Sequence, residues 1–382
     1  MLYRTWEAGP AAGGVVRVDG HLLVTRHHLV RRVLADPVTF APDNALDAVT
    51  PMPTSALRVL VRHGFRLPPT LANNGGASHP AIRAAVADVL HPHRVAGQRP
   101  WLTALVRDRA AGLAARLAAG EDVDLYADLA ADLPLLVLAR MVDLPDAGAA
   151  AVKEFARAAL ELFWAPVDPG RQQDLAAAVG AFHAVLRDFA ATGGGLAATL
   201  RRLTADPDVV VGALFFLLVA GQETTSQFLT LLLHRLAVTP GWRSARTADL
   251  VEEGLRLDPP IVTWRRVAAA DTELDGVAVP RGSSVVLWLA RAGRDPGVVA
   301  DPDTFRPGQP GSRRHLAFGA GAHRCVGAQL TRMEAAVVVD TAGHLVDGVR
   351  VVREPWCPDN LSFRMPDALV VRSGTSTPGR RR

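Results

Sequence analysis

The chain has only two cysteines, Cys325 and Cys357, in 382 residues. Two thiols cannot build a disulfide framework, so a reducing, cytoplasmic setting is expected. Lysine is scarce as well: Lys153 is a rare one, and almost every basic side chain is arginine, a skew of the kind coding bias produces. Long hydrophobic runs are lacking. The longest, residues 209–220, falls short of the ~20 residues that span a bilayer. Residues 1–10 carry Trp6 and Glu7 in place of an apolar signal-peptide core. A membrane is therefore not an expected partner. Nor does any run of basic residues interleave with aromatics, as a nucleic-acid surface requires. The pI near 9.7 points the other way, but the net charge is only +4, and Arg380, Arg381 and Arg382 supply three of those charges. A nearly neutral enzyme with a basic tail accounts for this, and a basic face for a small acidic protein stays open.

Internal repeats and low-complexity linkers are also missing, so one domain over residues 1–382 is expected, with 373–382 as a flexible tail. What is present is 49% hydrophobic and 21% charged, the make-up of a well-buried enzyme. Residues 14–25 read as a hairpin turning at Asp19-Gly20. Helical spacing follows over 81–90, 101–118, 125–142, 150–163 and 172–191, and one long apolar helix over 208–236. A helix over 247–257 stops at Pro259-Pro260. Strands are expected at 261–267 and 277–289, an irregular stretch at 291–315, and a last helix from Cys325 to about Val346. This order is mainly α with small peripheral sheets, and it excludes an alternating βαβ architecture. Gly319-x-Gly321 lacks the third glycine and the preceding strand of a dinucleotide loop.

The most informative stretch is Phe318-Gly319-Ala320-Gly321-Ala322-His323-Arg324-Cys325-Val326-Gly327. It ends a glycine-rich loop on one cysteine where a helix is expected to begin. A thiolate there gains from the helix dipole and from backbone N–H donors, and the glycines let backbone approach the sulfur and leave room for a flat cofactor. One cysteine with His323 nearby does not supply a zinc site, and the C-x-x-C-H of a c-type haem is absent. A nucleophilic or an inert cysteine would leave the three glycines and Phe318 unexplained.

The loop resembles the haem-binding signature of the cytochrome P450 superfamily, F-G-x-G-x-H/R-x-C-x-G, at every fixed position, and residues 328–334 resemble the helix that follows it. The resemblance implies that Cys325 is the axial ligand of a haem b iron, with Phe318, Gly319, His323 and Gly327 around the cofactor.

Upstream, Ala220-Gly221-Gln222-Glu223-Thr224-Thr225 puts a glycine, an acid and two hydroxyls inside an apolar helix. Each of these weakens a helix, while an acid beside an alcohol is what a proton relay requires. A buried cap or kink is the plainer alternative. The hexapeptide resembles the family's A/G-G-x-D/E-T-T segment over the distal haem face. By that resemblance Thr224 steadies oxygen at the haem, Glu223 feeds protons to it, and Ala220 and Gly221 leave space for oxygen and substrate.

Four further residues resemble the family's propionate-side groups: His79 and Arg83, spaced i and i+4, then Arg266, with Arg265 as its alternate, and His315. Glu253-x-x-Arg256 resembles the structural E-x-x-R pair, and 292–305 resembles the family's meander. The acidic lead-in to the His79 helix is replaced by Gly75-Gly76-Ala77-Ser78. The meander arginine is out of register, with Arg306 or Arg313 as substitutes.

The resemblance implies a haem-thiolate monooxygenase that inserts one atom of O2 into a hydrophobic small molecule. Electrons would come from NAD(P)H through a separate ferredoxin and ferredoxin reductase, docking near Arg324 and Arg332. Tailoring of bacterial natural products is the expected setting. Peroxide-driven or coupling chemistry and a non-catalytic haem sensor or carrier are the alternatives, and the Glu223-Thr224 pair favours the first reading. Substrate-facing segments are expected at 39–74, 160–172, 216–220, 261–264 and 361–364.

Overall fold

The computed structural model describes residues 2–5, 13–144 and 149–374, so Arg380, Arg381, Arg382 and most of the expected tail lie outside the described residues. Near the amino end, β1 (Val15–Val18) and β2 (His21–Val24) pair antiparallel. Their two-residue turn places Asp19 at φ 49° and Gly20 at φ 79°, the twist that suits a tight hairpin. Then come α1 (His27–Ala35), β3 (Phe40–Ala41), α2 (Thr54–Arg62), α3 (His79–Val89), α4 (Pro92–Ala118) and β4 (Val123–Asp124).

The helix expected over 125–142 is split into a π-helical turn, Tyr126–Ala130, and α5 (Leu133–Val142), because Pro134 sits in the first turn of a new helix and not inside an old one. Helices α6 (Ala149–Trp164), α7 (Pro169–Thr192), α8 (Gly195–Leu203), α9 (Pro207–Ala220) and α10 (Glu223–Ala237) follow. Two of them start on the same device, an aspartate cap before a proline. Asp168 accepts from the amides of Gly170 and Arg171, and Asp206 from that of Asp208.

The single helix expected over 208–236 is broken between α9 and α10. Thr224 Oγ1 donates to the Ala220 carbonyl at 2.7 Å, taking an acceptor that continuous helix would give to an amide. By length and composition α7 and the pair α9–α10 are apolar enough to cross a bilayer, which the sequence expectation missed, but 72% of the α9–α10 window is buried inside the protein. It is a core element here.

The remaining elements are α11 (Thr247–Leu257), β5 (Thr263–Ala268), β6 (Thr272–Leu274), β7 (Val277–Val279), β8 (Ser284–Trp288), α12 (Leu289–Ala292), α13 (Ala328–Ala342), β9 (Val349–Arg353) and β10 (Val370–Ser373). The sheets are small: β1-β2-β8-β5-β3, β4-β10-β9 and β6-β7, with β2 and β8 parallel. The main apolar core joins the helices from α2 to α13, while a separate cluster lies between α1 and the five-stranded sheet. The last helix begins at Ala328 and not at Cys325. Arg324 is extended at ψ 139°, and the Cys325 amide closes the loop onto the Phe318 carbonyl at 2.9 Å.

Candidate active site

Between the α9–α10 break on one side and the cysteine loop on the other lies a cavity walled mostly by apolar side chains. Ala220, Gly221 and Thr224 face it from above, Phe318, Gly319, Cys325 and Gly327 from below.

The loop brings Cys325 to the cavity through backbone constraints. Gly321 has φ 70°, and a Cβ there would lie 2.5 Å from the Leu34 carbonyl oxygen of α1. No other residue type fits. Gly327 lies beside the sulfur, where a Cβ would come 3.8 Å from Cys325 Sγ, an ordinary contact. Burial pushes the Cys325 thiol up, and the Gly327 N–H together with Arg83, Arg324 and Arg332 pulls it back. A metal cation over the sulfur would complete its ionisation. Arg83 braces the loop by donating to the Arg324 carbonyl at 2.5 Å, and Arg332 lies 4.6 Å over the Phe318 ring.

One wall of the cavity is basic. Arg83, Arg266 and His323 line it, and His79 stacks on His323 at 4.4 Å. Burial alone lowers Arg266 to about 10. Burial first, and then the charges of His79, Arg266 and Arg83, holds His323 at about 4 despite a hydrogen bond to the Asn74 carbonyl. His79 Nε2, His323 Nδ1 and Arg266 Nε are buried without hydrogen-bond partners among the described residues. Four basic side chains converge, three of them with an orphaned buried nitrogen, which is the cradle that a cofactor's carboxylates fit.

Arg265 does not exchange with Arg266, because its guanidinium is taken by the carbonyls of Ala45 and Asp47. His315 is a correction to the expected set. Its Nδ1 accepts the Ala317 amide and its Nε2 meets Glu252 at 3.1 Å, so it supports the loop from behind and does not reach the cavity.

Thr224 faces the cavity, but Glu223 does not. The Glu223 carboxylate is fully buried and turned towards α6, where it forms an ion pair with Lys153 and lies 3.7 Å from Arg157. Gln227 adds a contact at 3.4 Å. Acid and alcohol are adjacent in sequence but stand on two sides of α10.

A family model described as Cytochrome P450 matches residues 247–342. The cytochrome P450 monooxygenase PikC of Streptomyces venezuelae is 32% identical over 88% of this chain and 82% of its own length. Linalool 8-monooxygenase of Pseudomonas putida is 30% identical over 75% of this chain and 72% of its own. The solved structure of cytochrome P450 CREJ with (4-ethylphenyl) dihydrogen phosphate superposes with a TM-score of 0.88 at 26% identity, covering 95% of this chain and 94% of that one. The chain belongs to the cytochrome P450 family. It is a haem-thiolate monooxygenase with the mainly α fold expected for it.

In this cytochrome P450 the Glu253–Arg256 pair is a buried junction. Arg256 donates to both Glu253 oxygens and to the carbonyls of Gly293, Pro302 and Thr304. Neither arginine expected to complete it does so: Arg306 pairs with Asp301 through its side chain and Arg313 with Asp249. Gln309 Nε2 and Ser312 Oγ donate to Glu253 instead, at 2.8 and 2.7 Å, and Arg306 adds only its amide. Two neutral donors replace one cation.

Of the segments expected to face substrate, 39–74 contributes Leu71 and Ala72, 216–220 contributes Phe216, and 261–264 contributes Trp264. Segments 160–172 and 361–364 stand one layer back, where Trp164 and Phe363 pack on Trp264 at 6.3 and 6.2 Å. Sequence reasoning missed Thr225 and Thr331, whose hydroxyls meet at 3.0 Å beside the cavity. It also missed Lys153, although the rarity of lysine was a signal in plain view.

Proposed function

We propose that Cys325 is the axial thiolate of a haem b, that Arg83, Arg266, His79 and His323 hold its propionates, and that the Glu223–Thr224 pair serves the oxygen chemistry. The observation that carries this reading is the pairing of one cavity-facing thiol, on the loop from Gly321 to Gly327, with a wall of buried basic nitrogens that lack acidic partners among the described residues. When bound, the haem supplies activation of O2 with two electrons. The chain's own groups then do the rest. Ala220 and Gly221 leave space beside the break in α9–α10, and Thr224 presents a hydroxyl whose proton is already directed at the Ala220 carbonyl, so its oxygen lone pairs face the cavity as acceptors. Glu223 lies on the far side of the same helical turn, where its carboxylate would take up a proton and carry it towards Thr224 by side-chain rotation.

Phe216, Leu217, Ile261 and Trp264 make the substrate side apolar, which supports insertion of one oxygen atom into a C–H or C=C bond of a hydrophobic molecule. Kinship with an enzyme named for linalool supports the same substrate class, and we place the reaction in bacterial natural-product biosynthesis. Electrons from NAD(P)H arrive through a ferredoxin and its reductase. The residues from Phe305 to Met333 include no acid, so the loop face around Arg324 and Arg332 suits an acidic donor protein.

The test is the carbon-monoxide difference spectrum of the dithionite-reduced protein, beside Cys325→Ser. The red-shifted Soret band of a thiolate-bound ferrous carbonyl is expected in the wild type alone. A histidine-like spectrum in wild type, or an unchanged band in Cys325→Ser, sinks the ligand assignment.

A further inference from the structure

One short helix carries charge and apolar surface that the rest of the fold does not use. Helix α2 buries Ala56, Val59 and Leu60 in the main core and turns Leu57 and Val61 to solvent, 48% and 74% exposed. Arg58 and Arg62 form the neighbouring exposed row at the same i, i+4 spacing. Like charges one turn apart work against a helix. No acid along this stretch offsets them, since the sequence has none between Asp47 and Asp88.

Helix α7 adds to the charge. His63, the C-cap of α2, sits on Gly180 of α7, and the Arg187 guanidinium reaches back from α7 to Gly64, where a Cβ would meet its Nη1 at 2.7 Å. Arg66 follows on the loop, 79% exposed, with Asp208 at 3.6 Å. Arg58, Arg62 and Arg187 make no ion pair among the described residues. Four cations thus gather around one exposed aliphatic row.

The face lies on the substrate side of the protein. From Phe65, which meets His183 and Phe215, the chain lays Pro68 against Gly212 of α9 and reaches the cavity at Leu71 and Ala72. The electron donor's proposed seat is elsewhere, on the cysteine loop and α13 at Arg324 and Arg332. The cavity lining includes no acid among the described residues, and its basic groups stand on the cofactor wall. A hydrophobic substrate therefore finds no ionic anchor there. Docking of the molecule that carries it would supply the missing affinity as effective concentration.

Resting on the reading that this enzyme oxidises a hydrophobic small molecule, we propose that the α2–α7 face docks a small acidic carrier domain, which presents the substrate on a covalent arm. Arginine pairs bidentately with carboxylates, and Leu57 and Val61 give such a partner an apolar centre. At 1.5 Å per residue α2 is roughly 14 Å long, so the contact is small and transient. That suits a carrier that must leave after each turnover. A bilayer fits less well, because α2 has no Trp, Tyr or Phe and too short an apolar row to lie in an interface.

The experiment uses the haem-loaded protein with an acyl carrier protein bearing a dodecanoyl thioester, with free dodecanoic acid, and with phosphatidylglycerol vesicles. Wild type is compared with the double variant Arg58→Glu, Arg62→Glu and with Val61→Ser, all changed at exposed positions. Docking is read as the fluorescence anisotropy of the labelled carrier, and filling of the cavity as the shift of the Soret band towards its high-spin position. The carrier-borne chain is expected to shift the Soret band at roughly ten-fold lower concentration than the free acid, an advantage lost at high salt. The double reversal is expected to weaken docking roughly ten-fold or more and to leave the free-acid titration unchanged; Val61→Ser should weaken docking less. If neither form of the chain shifts the Soret band, the anisotropy decides. A carrier that does not dock, or that docks equally well to the double variant, overturns the proposal. So does vesicle binding that the reversal abolishes while the carrier stays free, since the face is then a membrane contact. A wild type without the thiolate carbonyl band overturns the reading of function instead, and the anisotropy still scores the face.

Discussion

Arg266 offers a test in which the same substitution should push stability in opposite directions. Its side chain is 1% exposed, its Nε has no partner among the described residues, and its guanidinium donates to the Arg265 carbonyl at 2.8 Å. Burial is the sole cause that lowers it from 12.5 to about 10. At about 1.4 kcal/mol per pH unit, that drop corresponds to about 3 kcal/mol of cost for keeping the charge inside. Arg266→Met retains an apolar stem of similar reach and removes the charge. Setting the lost hydrogen bond at about 1 kcal/mol, the haem-free protein should gain about 2 kcal/mol in chemical unfolding. The haem-loaded protein should lose a charge-assisted bond to a propionate, about 1.5–3 kcal/mol, so haem should transfer to an acceptor globin roughly 10 to 100 times more readily. A variant whose haem-free form is weakened by more than about 1 kcal/mol, with haem transfer unchanged, would refute the reasoning. It would mean that the guanidinium serves strand β5 and not an anion.

Two other outcomes follow from the same geometry. Gly321→Ala must place a Cβ 2.5 Å from a backbone oxygen of α1 at φ 70°, whereas Gly282→Ala, away from the cavity, meets only the backbone cost at φ 84°, with open space around it. The first should lower the haem bound per polypeptide, read as the Soret-to-protein absorbance ratio, and the second should cost only about 1–2 kcal/mol of stability; equal effects would remove the close approach from the account. Burial would raise the Glu252 carboxyl, but hydrogen bonds from His315 and Arg332 win and hold it at about 2, below its ordinary 4.5. A depressed folded-state value means stability present above pH 4.5 and lost as pH falls from there towards 2. After allowing for solvent screening, about 2 kcal/mol of acid sensitivity should vanish in Glu252→Gln. A parallel acid-unfolding curve for that variant would show that the network carries no net stability.

The parts of the site that could be read in advance are those carried by adjacent residues. The Phe318-to-Gly327 loop is continuous, with Gly321 set against α1 and Gly327 beside the sulfur. Helix α11 was legible over its full length because Leu250, Val251 and Leu255 keep one apolar face, and the Asp19-Gly20 turn because both residues tolerate positive φ. The errors have one origin. His315 was expected at the cofactor but is drawn to Glu252, 63 residues before it. The junction around Glu253 was expected to use an arginine but uses Gln309 and Ser312, 56 and 59 residues after it. Each of these choices depends on which partner a distant segment delivers, and periodicity carries no such information.

The sequence by itself determined the class of chemistry, because a thiol framed by glycines and an acid beside an alcohol are local patterns whose meaning survives any small error of register. Only the tertiary structure decided where those groups point. It broke the long apolar helix at Gly221, placed Thr224 on the cavity, and turned Glu223 to the opposite side. It also gave the lone lysine its meaning. A buried charge must find a partner or raise the free energy of the fold, and α6 brings Lys153 to Glu223 across 70 residues of chain.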